Sequence, residues 1–206
     1  MTITLHSWPR SSGTRVAWAL EELGVAYEYV QLDPQKQEQR AARHLALHPL
    51  GKVPALVDGE VTLFESAAIL LHLGERYGVE RKLWPAGSGQ ARADALSWSL
   101  WAMVDFGNSM MQFVYHGLDS PVSYRSADRS AACAEYNRAQ FVRGLDALEE
   151  RVREREFLLG AFSLADIPAA SWLQLGGLFG ITTDAHPRVT AWLRRCSERP
   201  AFRRAR

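Results

Sequence analysis

An α/β domain of order βαβαββα followed by an all-helical domain is the fold class that this 206-residue chain predicts. Three observations carry it. Short runs that alternate apolar and polar residues occur only in the first 80 positions, which is the period of a half-buried strand. Asp58-Gly59 lies between two of these runs, PALV and VTLF, and is a strong hairpin signal. From Gln90 onward the strand patterns vanish and every periodic stretch reads as helix.

The elements follow in order. ITLHSW is β-rich, PRSSG is a turn cluster, and in TRVAWALEELG the residues Val16, Leu20 and Leu23 recur at i, i+4 and i+7. Glu21 and Glu22 fall off that face, and Gly24 supplies the stop. AYEYVQLD alternates as a second strand, and QKQEQRAARHLAL reads as an irregular helix leading into HPLGK. PALV and VTLF then form antiparallel neighbours, with Asp58-Gly59 as their turn. After Glu65-Ser66, the residues Ile69, Leu73 and Tyr77 line one face of a helix that ends at Gly78. A βαβ unit, a hairpin and a covering helix together make a thioredoxin-like layer.

Gly, Pro and Ser cluster in YGVERKLWPAGSG, which marks a linker and divides the chain into 1–80, 81–89 and 90–206. Helices are expected over 90–117, 128–155, 163–177 and 186–200. In FSLADI, Ser163 and Asp166 have capping-box spacing, and Phe162 and Ile167 are placed to form the hydrophobic staple. Pro168 lies one turn in, where a bend or a lost hydrogen bond is expected.

Hydrophobic residues at 47% and charged residues at 23% are ordinary for a water-soluble domain, and no stretch reaches the roughly 18 apolar residues of a membrane span. MTITLHSWPR lacks the basic-then-apolar plan of a signal peptide, so a cytoplasmic location is expected. Cys133 and Cys196 match no disulfide framework and no metal-ligand spacing, so no metal is expected. The net charge of +1 hides a basic C-terminal stretch from Arg188 to Arg206. Its arginines are interleaved with Trp192, Leu193 and Phe202, which reads as a solvated helix face and not as a nucleic-acid tail.

Pro54 heads an apolar strand, the position a residue without an N–H tolerates. It reads either as a plain edge-strand proline or as a cis turn that leaves the Val53 backbone free to pair with an extended peptide. Glu65 and Ser66 stand at a helix start, where a cap or a cradle for an α-amino acid head group both fit.

KVPAL, then ESAAI about ten residues later, then GAFSLADI in a helical second half resemble the cytosolic glutathione S-transferases, of bacterial type and serine class. The resemblance covers nearly the whole chain. It implies a glutathione-binding first domain, a helical domain supplying most of an electrophile pocket, and a homodimer. Val53 would pair with the cysteinyl unit beside cis-Pro54, Glu65 and Ser66 would hold the γ-glutamyl end, and Lys52 would reach the glycyl carboxylate. His48 stands where the family usually has Asn, either as a ligand contact or as a turn residue.

The family's activating residue lies before the first helix, where this chain offers Ser11, Ser12 and, less favourably, Ser7, but no Tyr or Cys. Counting back five from Arg15 lands on Arg10, so the register stays open between Ser11 and Ser12. Trp98, Trp101, Asp105 and Tyr115 are candidate electrophile-pocket residues, although such an aromatic stripe also suits a core. The implied reaction is conjugation of glutathione to a small hydrophobic electrophile. A glutathione-dependent isomerase or dehalogenase, suggested by SSGTRV, and a non-catalytic binding module are the alternatives.

Overall fold

The computed structural model describes residues 2–205, which divide into two units. One unit runs to Ala86 and takes in the chain from Ser197 onward; the other spans Gly87–Cys196.

The first unit contains β1 (Ile3–Ser7), α1 (Gly13–Leu23), β2 (Tyr27–Gln31), a 3-10 turn at Glu38–Arg40, α2 (Ala42–Leu45), β3 (Ala55–Asp58), β4 (Val61–Phe64) and α3 (Ser66–Leu73). The strands lie in the order β2-β1-β3-β4. β1 pairs parallel with β2, Ile3 opposite Tyr27, and antiparallel with β3, Leu5 opposite Leu56. Ile3, Leu5 and Ser7 alternate inward on β1, and α1 buries Val16, Trp18, Leu20 and Leu23. Gly24 ends α1 in the left-handed region at φ 61°, its N–H reaching the Leu20 and Glu21 carbonyls. α3 continues through a π turn, Gly74–Gly78, so the helix does end at Gly78.

The hairpin differs from its sequence reading by one residue. Asp58 pairs with Val61, so the two-residue loop is Gly59-Glu60, and Gly59 takes the positive φ of 66° at its first position. Asp58 is a buried strand residue that accepts hydrogen bonds from His72 Nε2 at 2.8 Å and Tyr77 Oη at 2.7 Å, with Arg76 Nε at 3.4 Å. Burial pushes its carboxyl up, but these three partners outweigh that and hold it below its ordinary value.

The second unit begins with α4 (Gln90–Trp101), a π turn at Ala102–Phe106 and α5 (Gly107–Gly117), then α6 (Ala131–Arg151) and α7 (Asp166–Gly177). α8 (Pro187–Glu198) and α9 (Pro200–Arg204) complete the chain order. Trp101, Phe106 and Phe141 stack at successive centroid distances of 4.9 Å. Gly144 of α6 leaves room for this stack, because a Cβ there would stand 2.5 Å from Phe106.

Asp166 is fully buried and accepts from the N–H groups of Leu158 (2.9 Å) and Ser163 (3.0 Å), Ser163 Oγ (3.1 Å) and Trp192 Nε1 (2.9 Å). Burial raises its carboxyl against the pull of those four donors. The carboxylate half of the expected capping box is therefore present, whereas the Ser163 hydroxyl donates to Asp166 and does not cap a helix N–H. Pro168 causes no break, because α7 starts at Asp166 and a proline in the first turn lacks only an N–H that has no helical acceptor.

The chain from Ser197 onward packs with the first unit. Arg199 makes two bonds to the Glu22 carboxylate at 2.6 and 2.7 Å, Phe202 packs on Trp18 at 4.7 Å, and Arg204 pairs with Glu21. Two of the basic C-terminal side chains thus meet acids of α1. Among the described residues, no helix is long and apolar enough to cross a membrane.

Candidate functional site

β1 ends at the buried Ser7, a short loop follows, and α1 begins at Gly13. Within that loop Ser11 Oγ donates to the Trp8 carbonyl at 2.7 Å, accepts the Gly13 N–H at 3.1 Å, and lies 2.9 Å from Ser7 Oγ. Ser12 faces the other way and donates to the Val53 carbonyl at 2.9 Å. This single bond spans 41 positions and ties the start of α1 to the proline loop.

Val53–Pro54 is a cis peptide bond, and Pro54 stands just ahead of β3, so its missing N–H is outside the ladder. The Val53 carbonyl is not free, as its sequence reading had it, because Ser12 occupies one of its two acceptor positions. Lys52 is exposed, and its carbonyl accepts from His44 Nε2 at 2.7 Å.

His48 is only 1% exposed, so its ring presents no surface to solvent. It packs against the Phe64 ring at 4.9 Å and stacks with His44 at 6.3 Å. Burial lowers its pKa, partly opposed by Glu65. His48 supports the loop from beneath, which fits the turn-residue alternative better than a ligand contact.

Glu65 is exposed and holds φ 69°, ψ 116°, a conformation few residues other than glycine adopt, directly before α3. Ser66 opens that helix and is buried. A contact path thus runs from Ser12 through Val53 and Lys52 to His44, His48 and Phe64. At the carboxyl ends of the parallel strands, Trp8, Pro9, Leu32, Asp33, Pro34 and Lys36 border an open cleft of about 500 Å³.

Of the four helical-unit candidates, Trp98 and Trp101 pack together, whereas Asp105 and Tyr115 have other surroundings. Trp101 belongs to the core stack, and Trp98 lies edge-on to it at 5.2 Å beneath the Arg151 guanidinium at 5.4 Å. Asp105 is exposed on the π turn. Tyr115 packs against Tyr124 at 5.3 Å, and burial raises its pKa.

Sequence reasoning undervalued Ser7 and missed Gly13 and Arg15. Arg15 is buried on α1, and desolvation lowers its pKa to about 10, so it remains a cation at neutral pH one turn beyond Ser11. It falls outside the Val16, Leu20, Leu23 stripe, so periodicity gave no sign of its burial. An uncapped Gly-Thr-Arg helix start was the available signal.

A four-stranded sheet of this order, a cis proline heading β3 and a following helical unit define a thioredoxin-like domain of the glutathione transferase type. The family model described as "Glutathione S-transferase, N-terminal domain" matches residues 1–75, and that described as "Glutathione S-transferase, C-terminal domain" matches 109–200. Glutathione S-transferase 2 of Schizosaccharomyces pombe is 30% identical, covering 92% of this chain and 87% of that one. The structure of the glutathione transferase URE2P8 from Phanerochaete chrysosporium with oxidized glutathione superposes with a TM-score of 0.86 at 26% identity, over 99% and 93% of the two chains. The nitrogen regulation fragment of the yeast prion protein Ure2p gives 0.86 at 26% identity, over 99% and 95%. The chain belongs to the glutathione S-transferase family, and its activity is that of a glutathione transferase.

Proposed function

We propose that the chain is a serine-type transferase that binds glutathione in its first unit and conjugates the thiolate to small hydrophobic electrophiles. The carrying observation is Glu65, an exposed carboxylate held at φ 69° directly ahead of a helix whose first residue is a buried serine. A non-glycine residue in that region costs of order 1–3 kcal/mol, and such residues cluster at ligand clamps. Glu65 meets the ligand's ammonium, the head of α3 and Ser66 meet its α-carboxylate, the Val53 backbone pairs with the cysteinyl unit, and Lys52 meets the glycyl carboxylate.

A cysteine-like thiol has a pKa of about 8.5, and lowering it by roughly two units takes about 2.7 kcal/mol. One hydroxyl hydrogen bond to a charged group supplies about 1.5–3 kcal/mol, and a helix N-terminus about 0.3–1. Ser11 at the head of α1, with the buried Arg15 cation one turn on, is sufficient. It turns its hydrogen from the Trp8 carbonyl to the sulfur, while Ser12 keeps its own on Val53. The assembly is a cytoplasmic homodimer of two-domain subunits, with its electrophile pocket drawn mostly from the helical domain.

The test is conjugation of an aryl halide, an epoxide and an isothiocyanate by the purified protein. Ser11→Ala should lower kcat/KM at neutral pH by about 10–100-fold, the value of one charge-assisted hydrogen bond. Turnover that ignores this change would refute the assignment.

A second reading, a glutathione-binding module, is favoured by the Ser11 hydrogen lying on a carbonyl and by the likeness to the Ure2p fragment. Retention on immobilised glutathione without serine-dependent turnover would select it.

A further inference from the structure

Ser11 stands between two groups that control what its hydroxyl can do. The Trp8 carbonyl is an acceptor only, so at 2.7 Å it takes the one Ser11 hydrogen. Ser7 Oγ, 2.9 Å away, must then donate to Ser11, and the Gly13 N–H at 3.1 Å donates as well. Both Ser11 lone pairs are filled. The hydroxyl is left with a single capacity, that of donor.

Ser7 itself is a polar side chain on the inward face of β1, 0% exposed, on the same side as Ile3 and Leu5. An alanine there would bury more cheaply, since a polar group in the core must be bonded to be tolerated. Its carbonyl is fixed by the Leu32 N–H at 2.8 Å, and its hydroxyl, with its one hydrogen given to Ser11, accepts from the Tyr29 hydroxyl on β2.

Gly13 is the third member. Glycine is a poor helix former, and the positive φ values of the chain do not include Gly13, so conformation does not call for it. Space does: a Cβ at position 13 would lie 1.8 Å from Ser7 Oγ and 2.6 Å from Ser7 Cβ, and 3.3 Å from Ser11 Oγ.

We propose that Ser7 and Gly13 are positioning residues that lock Ser11 as a hydrogen-bond donor and thereby lower the pKa of bound glutathione. The inference rests on the reading of Ser11 as the thiolate's partner. Ser7 donates into Ser11, which polarises the Ser11 hydrogen toward the sulfur. Gly13 supplies both the clearance and an N–H. With both lone pairs occupied Ser11 cannot take the thiol proton, which leaves to solvent. Tyr29, on β2, is the titratable group bonded to this cluster.

The measurement is the pKa of the thiol in the enzyme–glutathione complex, followed by thiolate absorbance, together with kcat and KM against pH. Ser7→Ala should raise that pKa by about half a unit, and the thiolate fraction below it should fall about threefold. kcat/KM should fall by the same factor at low pH and recover above the pKa, with KM for glutathione unchanged. A residue that merely supported the fold would not move the titration.

Ser7→Ala on a Ser11→Ala background should add nothing, because Ser7 acts only through Ser11. An unshifted pKa in Ser7→Ala, or an effect that adds to Ser11→Ala, overturns the positioning role while leaving the Ser11 reading intact. An unshifted pKa in Ser11→Ala overturns both. Gly13→Ala should lose the thiolate and stability together, and Ser7→Gly with Gly13→Ala should regain the stability and not the thiolate. Failure to regain it would show that Gly13 serves something other than clearance.

Discussion

Ser11 and Ser12 are neighbours in sequence, and nothing in their spacing separates their roles; their hydrogen bonds do. Ser11 turns inward to Ser7, Trp8 and Gly13, whereas Ser12 crosses to the Val53 carbonyl. Ser12→Ala should therefore loosen the proline loop and raise KM for glutathione about three- to tenfold, with kcat within about twofold, the worth of one neutral hydrogen bond. A tenfold loss of kcat in steady-state assays would instead make Ser12 the sulfur's partner. The turn at Pro54 and the helix start at Glu65-Ser66 were legible because each has a fixed place in the element order. The burial of His48 and Arg15 was not, since a short irregular segment has no period to read and Arg15 is buried off the apolar stripe of α1.

At the level of elements, the hairpin is held by what its aspartate binds. Asp58 joins β3 to α3 and its π turn through His72, Tyr77 and Arg76. Asp58→Asn should destabilise the first unit by about 3 kcal/mol, as removal of a buried, multiply bonded charge does, measurable by denaturant unfolding. The pH dependence has a definite sign. The folded carboxyl titrates below its unfolded value of 3.8, so its contribution is complete above that value and is lost as pH falls through the folded pKa. The Asn protein should lack that segment of the acid profile. Asp-Gly correctly announced the hairpin, but Asp58 is drawn into the strand, opposite Val61, where it meets His72 and Tyr77, 14 and 19 positions on, and a local motif does not show such partners.

On the scale of the molecule, the chain's last described helix belongs with its first one. The paired bonds from Arg199 to Glu22, itself reached by Trp18 Nε1 at 2.9 Å, join α9 to α1 across 177 positions. The Glu22 side chain is only 5% exposed, so Arg199→Met should lower stability by about 2 kcal/mol and Tm by roughly 4–8 °C. Hydrogen exchange should quicken in α1 and stay slow in α6, and the reverse pattern would sink this assignment. The two-part plan was readable because strand and helix periods differ so sharply on either side of the linker. The pairing of Arg199 and Arg204 with acids of α1 was not, because a basic helix face reads the same whether it meets water or the acids of a distant helix.

The π turn at Ala102–Phe106 acts on the long helical run as a phase correction. Ala102, Phe106, Met110 and Val114 are all 0–1% exposed at a constant spacing of four. An ideal helix advances about 100° per residue, so that spacing would drift by roughly 40° at each step and carry the stripe off the core. The wider turn absorbs part of the drift at its start, and α5 therefore enters already rotated. Take one residue out of that turn and it closes to an ordinary α-helical turn, so the residues after it should keep their face to the core.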